Sequence, residues 1–183
     1  MGKAYDTIDD RLATFIAKQK MFFVATAPLS GEGHVNLSPK GYDAFRILSP
    51  KQVAYADLGG SGIETVAHAR ENGRITIMFC AFEGPAMILR IYGRARVMQF
   101  DEPAFDSELA RFAGFERARN IVFVDVERIA DSCGWGVPFY DFKGERDQLR
   151  RAIEHRTRAE WAERRYTANA ESIDGLTGLV RPV

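Results

Sequence analysis

Six runs of strand chemistry, with little chain between them, most restrict what this sequence can fold into. They are "MFFVATA", "VNLSPKG", "QVAYADL", "RITIMFCAF", "MILRIYGRARVMQF" and "IVFVDVERI". Each is rich in branched or aromatic residues, and several alternate apolar with polar side chains, as a pleated strand requires. The intervening segments are too short and irregular for repeated βαβ units. A mainly β architecture with flanking helices follows: a small antiparallel or mixed barrel of six or more strands. "RITIMFCAF" is apolar on both faces and reads as a central strand. The fifth run is long for one straight strand, and Gly93 near its middle predicts a bend or bulge.

Helical patterning is confined to short stretches. Asp9 or Asp10 caps a first helix that carries Leu12, Phe15 and Ile16 on one face and fades near Lys20. A helix over Glu64–Asn72 is closed by Gly73, where a left-handed backbone is tolerated. Asp101 and Pro103 start another, running to about Phe112. A long helical pattern covers Lys143 to Arg165, followed by a turn-rich tail. "PLSGEGH" joins the first two strands as a hairpin longer than two residues, and Pro39 ends or bends the second strand. With 183 residues, one domain spanning 1–183 is expected, with 143–183 packed on it.

Charge and cysteine usage narrow the function classes. Formal net charge is zero, so nothing electrostatic favours a nucleic-acid or membrane-surface partner. Cys80 and Cys133 are far apart without metal-ligand spacing, and with three histidines no zinc constellation arises. The amino terminus lacks a signal-type apolar run, and nothing approaches about 18 consecutive apolar residues. A cytoplasmic, reducing setting is the expectation.

"GGSGIETVAHARENGR", Gly59 to Arg74, admits two readings. In one, Ser61 and Glu64 form a capping box that starts the helix. In the other, the glycines let backbone approach an anion at the helix amino terminus. Helical geometry places Ser61, Thr65, His68 and Asn72 within a stripe roughly 60° wide, while Ile63, Val66 and Ala67 face a core. Glu64 opposes an anion at this position unless it turns away. In "HVNLSPKG", Asn36 and Ser38 share one strand face and Lys40 follows. That arrangement suits a flat polar heterocycle with a nearby phosphate. Arg90 lies in an otherwise apolar strand and shares its face with Tyr92, so it either lines a pocket or reaches solvent. Trp135, Phe139 and Tyr140, on a glycine-flanked loop, suit a lid, an anchor on the barrel or a dimer contact. Cys133 has no basic neighbour to activate it. No paired-carboxylate, Ser/His/Asp or Cys/His arrangement stands out, which leaves the chemistry to a cofactor.

The order of "HVNLSPKG", "YADLGGSGIETVAHARENGRITIMFCAF" and "GPAMILRIYGRARV" resembles the pyridoxamine 5′-phosphate oxidase-like flavoproteins. The likeness spans roughly Asp9 to Arg128, and the carboxy-terminal segments resemble a branch of unassigned substrate. It implies a split β-barrel that binds FMN as a homodimer. It further implies that Asn36, Leu37, Ser38, Pro39 and Lys40 contact the isoalloxazine and phosphate, and that Ser61 holds the phosphate. The basic pair that follows this serine in the family is replaced here by Gly62 and Ile63. Thr65 and His68 from the next turn are candidates to compensate, and Arg90 is a further candidate cofactor contact. The oxidase's arginine-rich substrate motifs are absent, which argues against pyridoxamine-phosphate oxidation itself. The expectation is an FMN-dependent oxidoreductase acting on a small redox substrate. The alternatives are a non-catalytic flavin, deazaflavin or haem protein, with His68 as the haem candidate, or a barrel that has lost its ligand.

Overall fold

The computed structural model describes residues 2–182. Eight strands form one antiparallel sheet: β1 (Ala4–Tyr5), β2 (Phe22–Thr26), β3 (Asn36–Lys40), β4 (Phe45–Ser49), β5 (Gln52–Asp57), β6 (Arg74–Cys80), β7 (Ile88–Gln99) and β8 (Asn120–Ser132). Their order is β3-β2-β6-β7-β8-β5-β4, with β1 paired to β8 off this path. Among the described residues no ladder joins β3 to β4, and the sheet forms a split β-barrel open along that seam. The six expected strands are all present. The two unexpected ones carry weak signals. β1 is two residues long, and β4 is an edge strand in which Arg46 interrupts the apolar alternation.

Local chemistry explains most boundaries. Asp9 caps α1 (Asp10–Lys18) by accepting the Leu12 N–H at 2.8 Å. Pro39 does not end its strand: β3 runs on to Lys40, and a proline is tolerated there because β3 is an edge. β6 is flanked on both sides, by β2 and β7, but its burial alternates rather than being complete. Leu89 and Ile91 of β7 pack inward with Phe22, Val24, Ile77 and Phe79, and this set forms the centre of the core. The β7–β8 register shifts between Tyr92 and Gly93. A β-carbon on Gly93 would overlap the Asp125 carbonyl oxygen, so the bulge brings the two backbones closer than any side chain permits.

The helices differ more from expectation. Helix α2 (Glu64–Glu71) ends as predicted, with Gly73 at φ +71° and its N–H on the His68 carbonyl. The capping box at its start does not form. Its N-cap is Ile63, with no side-chain hydrogen bond. Glu64 turns instead to the carboxy-terminal tail, where Oε1 accepts the Ile173 N–H at 3.4 Å. Helix α3 (Phe105–Leu109) is shorter than expected. Tighter turns follow it and direct Phe112 and Phe115 into the core. The long helical pattern over Lys143–Arg165 is two helices, α4 (Gln148–Glu154) and α5 (Arg158–Ala168). Thr157 interrupts it with a true capping box: its side chain accepts the Glu160 N–H, and Glu160 accepts the Thr157 N–H at 2.9 Å. Trp161 of α5 and Ile153 of α4 join the main core, and Leu179 of the tail packs on Ile63 and Val66. No helix among the described residues is long and apolar enough to cross a membrane.

Replacing Gly93 with alanine forces the β7–β8 backbones apart. The expected cost is about 2 kcal/mol, read as a lower urea midpoint at unchanged slope. An unaltered midpoint would show that the bulge tolerates a side chain.

Candidate functional site

At the end of β5 the chain places an acidic residue inside the barrel wall, and the site is assembled around it. Asp57 is 8% exposed. Its Oδ2 accepts from Lys40 Nζ at 3.0 Å and from Arg119 Nη2 at 3.0 Å, and its Oδ1 accepts the Gly59 N–H at 3.0 Å. Burial by itself would push this carboxyl up. The Lys40 ammonium, the Arg119 guanidinium and the Gly59 N–H outweigh it and hold the group well below the usual carboxylate range.

The Gly59–Gly62 turn is held chiefly by its carbonyls. Arg119 Nη1 donates to the Gly62 carbonyl at 2.7 Å, and Arg165 Nη1 of α5 donates to the Gly60 carbonyl at 3.1 Å. Asn169 Nδ2 lies 3.3 Å from the carbonyls of both Gly60 and Ser61. With these carbonyls engaged, the N–H groups of Gly60, Ser61, Gly62 and Ile63 meet no acceptor among the described residues. Gly59 has φ +84°, and a β-carbon there would meet Arg119 at 2.8 Å and Arg165 at 3.0 Å. Only glycine lets two guanidiniums close on the turn. Arg119 and Arg165 are 4% and 8% exposed, and the Nε of each is buried without a partner. Burial, followed by the nearby positive charges of Arg119, Arg164 and Arg156, lowers the affinity of Arg165 for its proton. Unengaged amides beside partly unpartnered buried cations have the geometry and charge of a candidate anion site. Glu64 lies against Gly62, which confines a favourable anion position to the Gly59–Ser61 part of the turn.

Two clefts meet at this turn. One, of about 230 Å³, runs past Pro39, Lys40, Tyr42 and Asp57 to Gly59 and Gly60. The other, of about 910 Å³, runs from Gly59, Gly60 and Ser61 along α4 and α5.

The expected site residues divide into groups. Pro39 and Lys40 border the smaller cleft and Ser61 the larger. Lys40 is already paired with Asp57, which reduces the charge it can offer a phosphate. Asn36 and Ser38 share the inward face of β3 with Lys40 but hydrogen-bond inside the protein. Asn36 Nδ2 donates to Thr65 Oγ1 at 2.9 Å and to Thr26 Oγ1 at 3.1 Å, and Ser38 donates to Asn36 Oδ1 at 2.9 Å. His68 Nδ1 lies 2.9 Å from Thr26 Oγ1. Thr65 and His68 are therefore buried braces between α2 and the β2–β3 hairpin and do not compensate for the missing basic pair at the turn. Burial pushes the His68 imidazole below its ordinary pKa, and neither of the two clefts reaches it, so it presents no open face to a haem. Leu37 is on the opposite face, 64% exposed. Arg90 is remote from the turn and donates to the Ser132 hydroxyl at 3.1 Å. Tyr140 packs on Phe82 at 5.5 Å and anchors the aromatic loop, while Trp135 and Phe139 stand in solvent.

The residues missed from the sequence are Asp57, Arg119, Arg165 and Asn169. A carboxylate ending an apolar strand was the one signal available for Asp57. The other three carried none, because they reach the turn from 57 to 109 positions away in the chain.

A split barrel whose wall meets a carboxy-terminal helix at a glycine turn is the architecture to be compared with known proteins. Residues 8–133 match the family described as pyridoxamine 5′-phosphate oxidase. A pyridoxamine 5′-phosphate oxidase family protein, ustO of Aspergillus flavus, is 35% identical over 192 residues, covering 96% of this chain and 77% of that protein. The chain belongs to this family. Among solved structures, a histidine-to-alanine variant of HupZ from Group A Streptococcus superposes with a TM-score of 0.53 at 24% identity, covering 68% of this chain and 99% of that one. A pyridoxamine 5′-phosphate oxidase-type protein of Lactobacillus delbrueckii superposes with 0.51 at 13% identity, covering 68% and 94%. Both likenesses concern the fold.

Substituting Asp57 with asparagine leaves Lys40 and Arg119 buried against each other, and should cost about 3 kcal/mol. The Asp57 pKa is depressed in the folded state, so its contribution is complete above the unfolded carboxyl value of about 4 and is lost as pH falls below that. Wild-type stability should therefore fall more steeply in acid than that of Asp57→Asn, as followed by urea midpoints between neutral and acidic pH. Parallel profiles would remove Asp57 from this role.

Proposed function

We propose that the protein binds FMN by its phosphate at the Gly59–Ser61 turn and uses it to pass hydride or electrons to and from a small molecule. The observation that carries this reading is the turn itself. Its carbonyls are tied back by Arg119, Arg165 and Asn169, while its N–H groups are unengaged beside two buried guanidiniums. An anion there gains charge-assisted bonds without any rearrangement of the backbone. The arginines take the place of the basic pair that is absent after Ser61. The Ser61 hydroxyl is exposed at the cleft and free to donate.

When bound, the flavin supplies hydride and electron chemistry. The chain's part is to bind and orient it. Lys40 and Asp57 border the smaller cleft, through which the ring system would extend towards β3. Neither His68 nor His34 has the partners of a nucleophile–base relay. His68 is enclosed with Thr26, and His34 faces Asp174 at 2.6 Å on the surface. Both arrangements are consistent with a protein whose chemistry resides in its cofactor.

We also propose a homodimer that pairs through the outer face of β2, β3, β6 and β7. The registers align Pro39, Phe23, Met78 and Arg90 in one row and Leu37, Ala25, Thr76 and Tyr92 in the next. This face is largely apolar, and Leu37 at its edge is well exposed.

The purified protein should show flavin absorbance and bind FMN on the order of 100-fold more tightly than riboflavin, because the phosphate makes at least two charge-assisted bonds. Ser61→Ala should weaken FMN about tenfold and leave riboflavin unchanged. Equal affinity for FMN and riboflavin would end the phosphate assignment. Sedimentation at micromolar concentration should give a dimer, and Leu37→Glu a monomer. A monomeric wild type would exclude the pairing.

A further inference from the structure

The larger cleft continues past the anion-binding turn and remains rich in cations. Beyond Ser61 it is bordered by Arg156 and Arg164, with His155 nearby and an apolar floor of Leu149, Ala152 and Ile153. The Arg164 side chain makes no hydrogen bond or ion pair among the described residues. The Arg156 guanidinium donates only to the Ala152 carbonyl at the end of α4 among the described residues. The single carboxylate bordering the cleft, Glu160, already accepts from the Thr157 N–H at 2.9 Å and the Thr157 hydroxyl at 2.8 Å. Arg156 and Arg164 are close enough to Arg165 to depress its proton affinity, so the positive charge is shared along the cleft and is not confined to the turn. One phosphate on the turn would engage Arg165 and the amides; Glu160 offsets part of the Arg156 charge, and Arg164 is left without a counter-charge.

We infer that the cleft along α4 and α5 takes a second phosphate and a nucleoside joined to the first, so that the site prefers a flavin dinucleotide to FMN. The inference rests on the phosphate assignment above. At about 910 Å³ the cleft lies at the upper end of the size range of small-molecule sites, well beyond what one phosphate requires. The first phosphate sits where the two clefts meet. The ring system extends past Lys40, and the second phosphate lies on the other side, against Arg156 and Arg164. The apolar floor then receives the planar base, and a guanidinium can stack on it. The helices that build this wall begin at Gln148, after the family-matched segment ends at residue 133. The preference is therefore a property of this chain's carboxy-terminal part and not of the barrel.

Binding of riboflavin, FMN and FAD to the full-length protein, followed by quenching of flavin fluorescence, separates the two claims. FAD should bind about tenfold more tightly than FMN, as one additional charge-assisted contact would give. The Arg156→Ala/Arg164→Ala double variant should lose that preference while its FMN affinity stays within about threefold of wild type, which also shows that it folds. A wild type that binds FAD no better than FMN, or a double variant that keeps the preference, overturns the dinucleotide inference alone. FMN binding no tighter than riboflavin overturns the phosphate assignment and the inference with it, as does a wild type that binds none of the three.

Discussion

One buried carboxylate organises the functional end of this barrel. Asp57 joins β3 through Lys40, the start of β8 through Arg119, and the following turn through the Gly59 N–H. These three pieces lie on both sides of the seam where β3 and β4 fail to pair. A split barrel has no ladder hydrogen bonds to hold that seam, and the ion-paired cluster links the β3 edge to the end of β5 across it. The same cluster sets the charge of the site. A lone buried arginine or lysine would be strongly destabilising, and Asp57 offsets both where they are needed.

The candidate anion site follows from the way the turn is restrained. Arg119, Arg165 and Asn169 take carbonyl oxygens, which orient the intervening N–H groups away from them. Backbone amides held in this way need no reorganisation to meet a negative group. Glycine at position 59 is essential to the arrangement. Its positive φ and missing side chain leave room for both guanidiniums. The proposed site is an ordinary chain turn clamped by residues distant in sequence.

Much of the fold was legible from periodicity. Branched and aromatic runs, several of them alternating, marked six of the eight strands. Gly93 marked the bulge, because a glycine weakens a long strand unless a close backbone approach requires it. What failed was local chemistry with two possible partners. Ser61 and Glu64 have capping-box spacing, yet Glu64 bonds the tail and the true box forms at Thr157 and Glu160. Thr65 and His68 lie on a polar helical stripe, and that stripe faces the Thr26–Asn36 cluster inside the protein instead of a ligand. A stripe shows which residues share a face. It does not show what that face meets.

The sequence by itself determined six of the eight strands, the split-barrel class and the family, because these depend on side-chain patterning and on motifs read in order along the chain. It also located the glycine turn and Lys40. Only the tertiary structure decided which cations serve that turn. Arg119 and Arg165 come from the edge of β8 and from a carboxy-terminal helix, and no local pattern encodes a contact across so many residues. Whether a buried charge is paired or left open depends on every group folded around it, and that becomes known only once the chain has closed.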